Sequence, residues 1–149
     1  MTEVLAKPPP YGLFRLAVNA WTAPFWEAAA RGELVVAECA QCGHARMPPT
    51  PFCPLCHCQE LHWVSLGGEA TVYSYTVVER ALLPDMQAHL PYVPALVTPR
   101  ERPGVRLVTN LVGMPLSLLR VGLPVRLVWH RTADGVALHQ FVLDSAGAN

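Results

Sequence analysis

Charge is scarce in this 149-residue chain: Asp, Glu, Lys and Arg together make up 15%, and the formal net charge is zero. Proteins that grip nucleic-acid backbones in general carry a basic excess to displace counterions, so neutrality argues against that class. Long apolar runs are also missing, and none approaches the ~18 residues that a membrane-spanning helix requires. The opening segment, Met1-Thr2-Glu3-Val4-Leu5-Ala6-Lys7-Pro8-Pro9-Pro10, has no basic stretch leading into a long apolar one. A secretory signal is therefore not expected, and a cytoplasmic location is. Nor is there a Gly-rich phosphate loop, a dinucleotide-binding glycine fingerprint or a Ser-centred nucleophile elbow. The chain alone reads as non-enzymatic.

What is present is apolar residues at 52%, enough to bury a core, with 15 prolines and 10 glycines. Such a composition favours turns and short segments over long helices, and a mainly β fold. Five cysteines include Cys39-Ala40-Gln41-Cys42 and Cys53-Pro54-Leu55-Cys56, two Cys-x-x-Cys pairs ten residues apart. Each pair has the spacing of a knuckle that turns two thiolates toward one ion, so four sulfurs can surround a tetrahedral Zn²⁺. A closed four-thiolate site leaves no position for substrate, so the metal is structural. His57 and Cys58 are rival ligands beside the second knuckle, and a Cys56/Cys58 chelate has the less suitable spacing. Cys58 is therefore expected to be a free thiol.

Around the knuckles the pattern divides. Thr22 as cap, Pro24 in the first turn and Gly32 as stop predict a helix over Ala23–Arg31, with Trp21, Phe25 and Ala28/Ala29 along one face. Leu34–Ala37 and Leu61–Leu66 read as strands bracketing the metal loop, and the prolines of 47–52 make that stretch an extended connection. After Gly67-Gly68, Glu69–Arg80 reads as a long central strand buried on both faces, Leu82–Pro94 as a loop, and Ala95–Thr98, Val105–Val112, Val125–His130 and Val136–Val142 as strands. Leu116–Val121 suits a single helical turn between the third and fourth of these five strands, as in OB-type Greek-key barrels, with an SH3-like barrel as the other option.

Taken together the residues resemble the bacterial and archaeal zinc-ribbon OB-fold proteins that accompany thiolase-like enzymes in acyl-CoA metabolism. The resemblance runs from about Phe25 to Val142, and its carriers include Phe25-Trp26-Glu27, Gly32-Glu33-Leu34, both knuckles, Pro48-Pro49, Gly68–Val78, Pro91–Val97, Asn110–Gly113 and Gly122–Val125. It implies a mainly β protein with an N-terminal helical arm (1–33), a rubredoxin-like zinc ribbon (34–66) and a C-terminal five-stranded OB-fold barrel (67–149). It further implies a non-catalytic accessory subunit that binds or gates an acyl-CoA beside a thiolase-like, acyltransferase-like or aldolase partner, in lipid, steroid or aromatic-acid metabolism. The chain departs from the family at His57, where many relatives carry glycine, and in its longer apolar, proline-rich residues 1–20.

Charge is unevenly placed. Residues 100–131 hold six arginines against Glu101, a local +5, whereas residues 1–99 sum to −3 and 132–149 to −2. Arg100, Arg102 and Arg106 are candidates for the anionic head of a coenzyme A ester, with the apolar 82–96 segment lining a channel. The rival class is a single-stranded nucleic-acid binder stacking bases on Tyr73, Tyr75 and Trp129. The six histidines (44, 57, 62, 89, 130 and 139) fall in no acid–base motif and read as incidental.

Overall fold

The run from Val93 to Pro99 alternates fully buried with half-buried residues, the mark of a strand with one face on a core. In the computed structural model, which describes residues 2–145, the elements in chain order are α1 (Ala23–Ala30), β1 (Leu34–Cys39), β2 (Leu61–Leu66), β3 (Glu69–Tyr75), β4 (Val93–Pro99), β5 (Leu107–Leu111), β6 (Pro124–Arg131) and β7 (Ala137–Leu143). Single 3₁₀ segments lie at Tyr11–Leu13, Pro84–His89 and Leu116–Leu118. Position 1 of the expected arm and positions 146–149 of the expected barrel segment lie outside the described residues.

β1 and β2 form a two-stranded antiparallel ribbon, and the other five strands close a barrel in the order β3-β4-β5-β7-β6. All barrel pairings are antiparallel except β5 with β7, which meet in parallel at Leu111 and Phe141. Inside lie Val72, Val93, Val97, Leu111, Val125 and Phe141, all essentially inaccessible. The turn at Leu116–Leu118 stands between the third and fourth barrel strands, as an OB-type barrel requires. Closure depends on Gly68, whose φ is +91° and whose missing Cβ would sit 3.0 Å from Leu127 Cβ. Only glycine lets β6 pass that close.

Three expectations need correction. β3 ends at Tyr75 rather than Arg80, and one face of it, including Thr71 and Tyr73, is open to solvent. The solvent face follows from barrel closure, which hides one side of each strand. The early end follows from Pro94. Thr76 N–H donates to Pro94 O (3.0 Å), but Pro94 has no N–H to return, so regular pairing stops and only a bridge between Val78 and Tyr92 survives. The 82–94 stretch is not all loop either, since it contains the 3₁₀ segment and the first residues of β4. Finally, Thr22 does not cap α1 with its side chain, because it is itself helical in backbone angle. Asn19 does the work one turn earlier, its Oδ1 accepting from the N–H groups of Trp21 (2.9 Å) and Thr22 (3.0 Å). The helix stops at Gly32 as the sequence implies, with φ +77° and N–H bonds from Gly32 to Ala29 O and from Glu33 to Ala28 O.

The N-terminal arm divides in two. Residues 4–7 run antiparallel to 113–116, with hydrogen bonds between Leu116 N and Val4 O, Ala6 N and Met114 O, and Gly113 N and Ala6 O. Beyond the short turn at Tyr11, Phe14 (64% exposed), Val18 and Trp21 project into solvent.

Candidate functional site

The first knuckle leaves β1 at Cys39, and the hairpin that follows is held by Cys39 N–H to His44 O (2.8 Å) and Gly43 N–H to Cys39 O (2.9 Å). The second repeats that geometry: Cys53 N–H to Cys58 O (2.9 Å) and His57 N–H to Cys53 O (3.0 Å). Gly43 and His57 occupy equivalent turn positions, with φ of +77° and +66°. The departure noted at His57 is thus a histidine placed where the turn asks for glycine.

The four sulfurs of Cys39, Cys42, Cys53 and Cys56 all lie within 4.8 Å of one another, with Cys39–Cys56 and Cys42–Cys53 each at 3.5 Å. Zn–S bonds of ~2.3 Å in a tetrahedron place sulfurs ~3.8 Å apart, so the donor set is positioned for such an ion. His57 and Cys58 stand outside this cluster. Backbone N–H groups are aimed at the sulfurs: Cys42 and Gln41 at Cys39, His44 at Cys42, Cys56 and Leu55 at Cys53, and Cys58 at Cys56. The Cys42 N–H chiefly, with the Gln41 N–H, overcomes burial and holds the Cys39 thiol down at about 6. At Cys56 the Cys58 N–H favours the thiolate, yet burial and three neighbouring sulfurs outweigh it and push the thiol up to about 12. Four thiolates at this spacing repel one another, and a bound divalent cation is what allows all of them to ionise.

The segment between β4 and β5 carries the three candidate arginines, and each is already engaged. Arg100, 75% exposed, pairs with Glu69. Arg102 pairs through Nε with Glu38 of β1, and so ties ribbon to barrel. Arg106 donates to Pro103 O (2.7 Å) and Val105 O (3.1 Å) while its guanidinium lies 4.1 Å over the Tyr73 ring. Arg131 is not part of this group; its Nη2 donates to Ala30 O (3.0 Å) at the end of α1. Of the three aromatics considered for base stacking, Trp129 donates Nε1–H to Gly32 O (3.2 Å), Tyr75 donates its hydroxyl to Leu119 O (3.2 Å), and Tyr73 lies under Arg106.

The sequence reading of one residue needs correction, and another carried no reading at all. His139 is not incidental: it packs edge-on against Phe25 (5.3 Å) and beside Trp26, and its Nε2 meets Val108 O at 2.6 Å. That carbonyl only accepts, so Nε2 carries the hydrogen and the buried Nδ1 is left without a partner. Burial holds its pKa below 6.5, against the opposing pull of the Val108 carbonyl. Strand alternation with Ala137 and Phe141 was the available signal. Arg46, only 4% exposed between the knuckles, gave no signal beyond its charge.

Comparison with known proteins follows this division. Residues 26–62 match the family profile "ChsH2, rubredoxin-like zinc ribbon domain", and residues 63–130 match "ChsH2, C-terminal OB-fold domain". A "DUF35 domain-containing scaffold protein" of Methanocaldococcus jannaschii is 30% identical over 68% of this chain and 70% of its own. A "Probable enoyl-CoA hydratase alpha subunit" of Thermomonospora curvata is 43% identical over 77% of this chain, which spans only 35% of that relative's length. Among solved structures, a chain of the "Ltp2-ChsH2(DUF35) aldolase" superposes with a TM-score of 0.77 at 39% identity, covering 87% of this chain and 98% of that one. Among the described residues no helix is long and apolar enough to cross a membrane.

Proposed function

Because the chain belongs to the ChsH2-type (DUF35) family of zinc-ribbon OB-fold proteins, we propose that it is a non-catalytic accessory subunit of a thiolase-superfamily complex that binds or gates an acyl-CoA. Cys39, Cys42, Cys53 and Cys56 hold a structural Zn²⁺, and the reaction, be it thiolysis, acyl transfer or retro-aldol cleavage, belongs to the partner.

The observation that carries this reading is the distribution of apolar surface. Phe14, Val18 and Trp21 on the arm, and Phe52 and Leu55 (69% exposed) at the second knuckle, stand in solvent while the barrel core is closed. Exposed apolar groups of this size on two separate projections fit a chain that buries them against another subunit. Ligand space supports it too. The apolar cleft beside Arg106, lined by Phe25, Trp26, Met47 and Pro49, measures about 190 Å³, too small for a coenzyme A ester without walls from a partner. The names of the aldolase and hydratase relatives lie in the same chemistry.

The test is co-expression with the thiolase-like chain encoded nearest to it. Stable co-purification, with acyl-CoA binding by calorimetry in the complex and not in the isolated chain, supports the proposal. A soluble monomer that binds no such chain, or that binds oligonucleotides in a salt-dependent way, overturns it.

A further inference from the structure

Arg46 is the most deeply buried charged side chain in the ribbon, and its chemistry is unusual there. A guanidinium cannot shed its proton in a protein, so it is a permanent positive charge. None of the ion pairs among the described residues involves it. Nη1 donates to Cys58 O at 3.0 Å, while Nε and Nη2 are buried with no protein partner. An isolated buried charge is strongly disfavoured unless an opposite charge lies nearby. The carboxylate closest in sequence on β1, Glu38, is taken by Arg102.

The backbone shows where the missing opposite charge belongs. Arg46 N–H donates to Ala37 O (2.8 Å), and its neighbour Ala45 bridges Glu38, so its main chain is part of the hairpin that carries the first knuckle. Its side chain reaches the second knuckle, at the Cys58 carbonyl that also accepts the Cys53 N–H (2.9 Å). The guanidinium is thus two hydrogen bonds from one ligand residue and joined by backbone to the hairpin of two others. Four thiolates around one divalent ion leave two surplus negative charges in a half-buried site.

We infer that Arg46 is the internal counter-cation of the four-thiolate centre, bracing the two knuckles against each other and offsetting part of the charge that the metal leaves uncompensated. The inference rests on the metal reading above and extends it to a positioning residue outside the ligand set. Interactions of this kind behind metal ligands typically contribute 10–100-fold to affinity.

The experiment is zinc competition against a chromophoric chelator on the full chain, with the Co²⁺-loaded form followed by absorption. Wild type must first bind about one zinc per chain; if it does not, the metal reading fails and not the role of Arg46 alone. Arg46→Met is expected to weaken zinc binding about 10–100-fold and to move the thiolate-to-cobalt charge-transfer band to lower energy, since sulfur electrons lose a stabilising cation. Arg46→Lys restores the band and most of the affinity. Should Arg46→Met not fold, Arg46→Gln, which keeps a donor for Cys58 and drops the charge, carries the same expectation. An unmoved band, or equal losses in the Lys and neutral variants, overturns the inference by reducing Arg46 to a hydrogen-bond strut.

Discussion

The two knuckles share one backbone shape but differ in the residue at the turn, and that difference gives a measurable expectation. His57 sits at φ +66° where Gly43 sits at +77°. Left-handed backbone costs an L-residue roughly 1–2 kcal/mol, while glycine loses about 0.5–1 kcal/mol more than alanine in ordering. His57→Gly should therefore stabilise the second knuckle by about 0.5–1 kcal/mol, its N–H to Cys53 O bond being a backbone bond that survives. Because ligation and folding of such a ribbon are one reaction, this appears as zinc affinity tighter by about two- to fivefold. Gly43→Ala is the reciprocal change. A Cβ at Gly43 would meet nothing within 4 Å, so its expected cost of about 1 kcal/mol is conformational alone. Chelator competition measures both, with urea midpoints at fixed free zinc as the check, since bound metal shifts apparent stability. Weaker zinc binding in His57→Gly, or an indifferent Gly43→Ala, would refute the dihedral account.

Cys53→Ala removes a fully buried thiol of the four-sulfur cluster; zinc per chain should fall well below half an equivalent by elemental analysis, with loss of both ribbon folding and partner assembly. Normal assembly with lost turnover would instead make the metal part of the chemistry. Trp129→Phe deletes the indole bond to Gly32 O and should lower the unfolding free energy by about 1 kcal/mol at unchanged denaturant slope. His139, by NMR titration of its ring, should show a pKa below its ordinary 6.5. With the folded value depressed, the unfolded chain binds the extra proton, so stability is intact above about pH 6.5 and falls as pH drops toward the folded value. His139→Phe removes that contribution to the slope.

Local signals were legible where one residue type carries a single meaning. Gly32 as a helix stop, the two Cys-x-x-Cys pairs and the presence of five strands with a turn between the third and fourth could be read directly, because each follows from local backbone geometry, ligand spacing or strand patterning; the order in which those strands close the barrel could not. The end of β3 was not, since it depends on a missing donor in Pro94, a residue on a different strand. Asn19 was passed over as a cap because Thr22 occupies the more conventional place. Arg46 and His139 escaped for a shared reason. Their character comes from partners distant in sequence, Cys58 for one and Phe25 with Val108 for the other, and composition treats both as ordinary surface groups. The arginine count also misled in part, since Arg131 serves the helix end.

Ribbon and barrel are joined by side chains that also belong to the candidate ligand surface, and this sets how the arginines must be tested. Glu101 accepts the Gly67 N–H (2.7 Å) at the crossing from ribbon to barrel, and Arg102 reaches back to Glu38, whose side chain is 12% exposed. Arg102→Gln leaves that carboxylate nearly buried with His62 Nε2 (3.2 Å) as its remaining partner, an expected loss of about 1–2 kcal/mol. Arg100, by contrast, is three-quarters exposed in its pair with Glu69, and such pairs contribute roughly 0–1 kcal/mol. Reversing all three arginines at once therefore confounds ligand contact with ribbon orientation. Single neutralisation separates them: a drop in acyl-CoA affinity for the complex with Arg100→Gln, at unchanged melting temperature, indicates direct contact. Loss in Arg102→Gln alone, together with a lowered melting temperature, places the effect in the ribbon–barrel angle and removes the arginines from the ligand site.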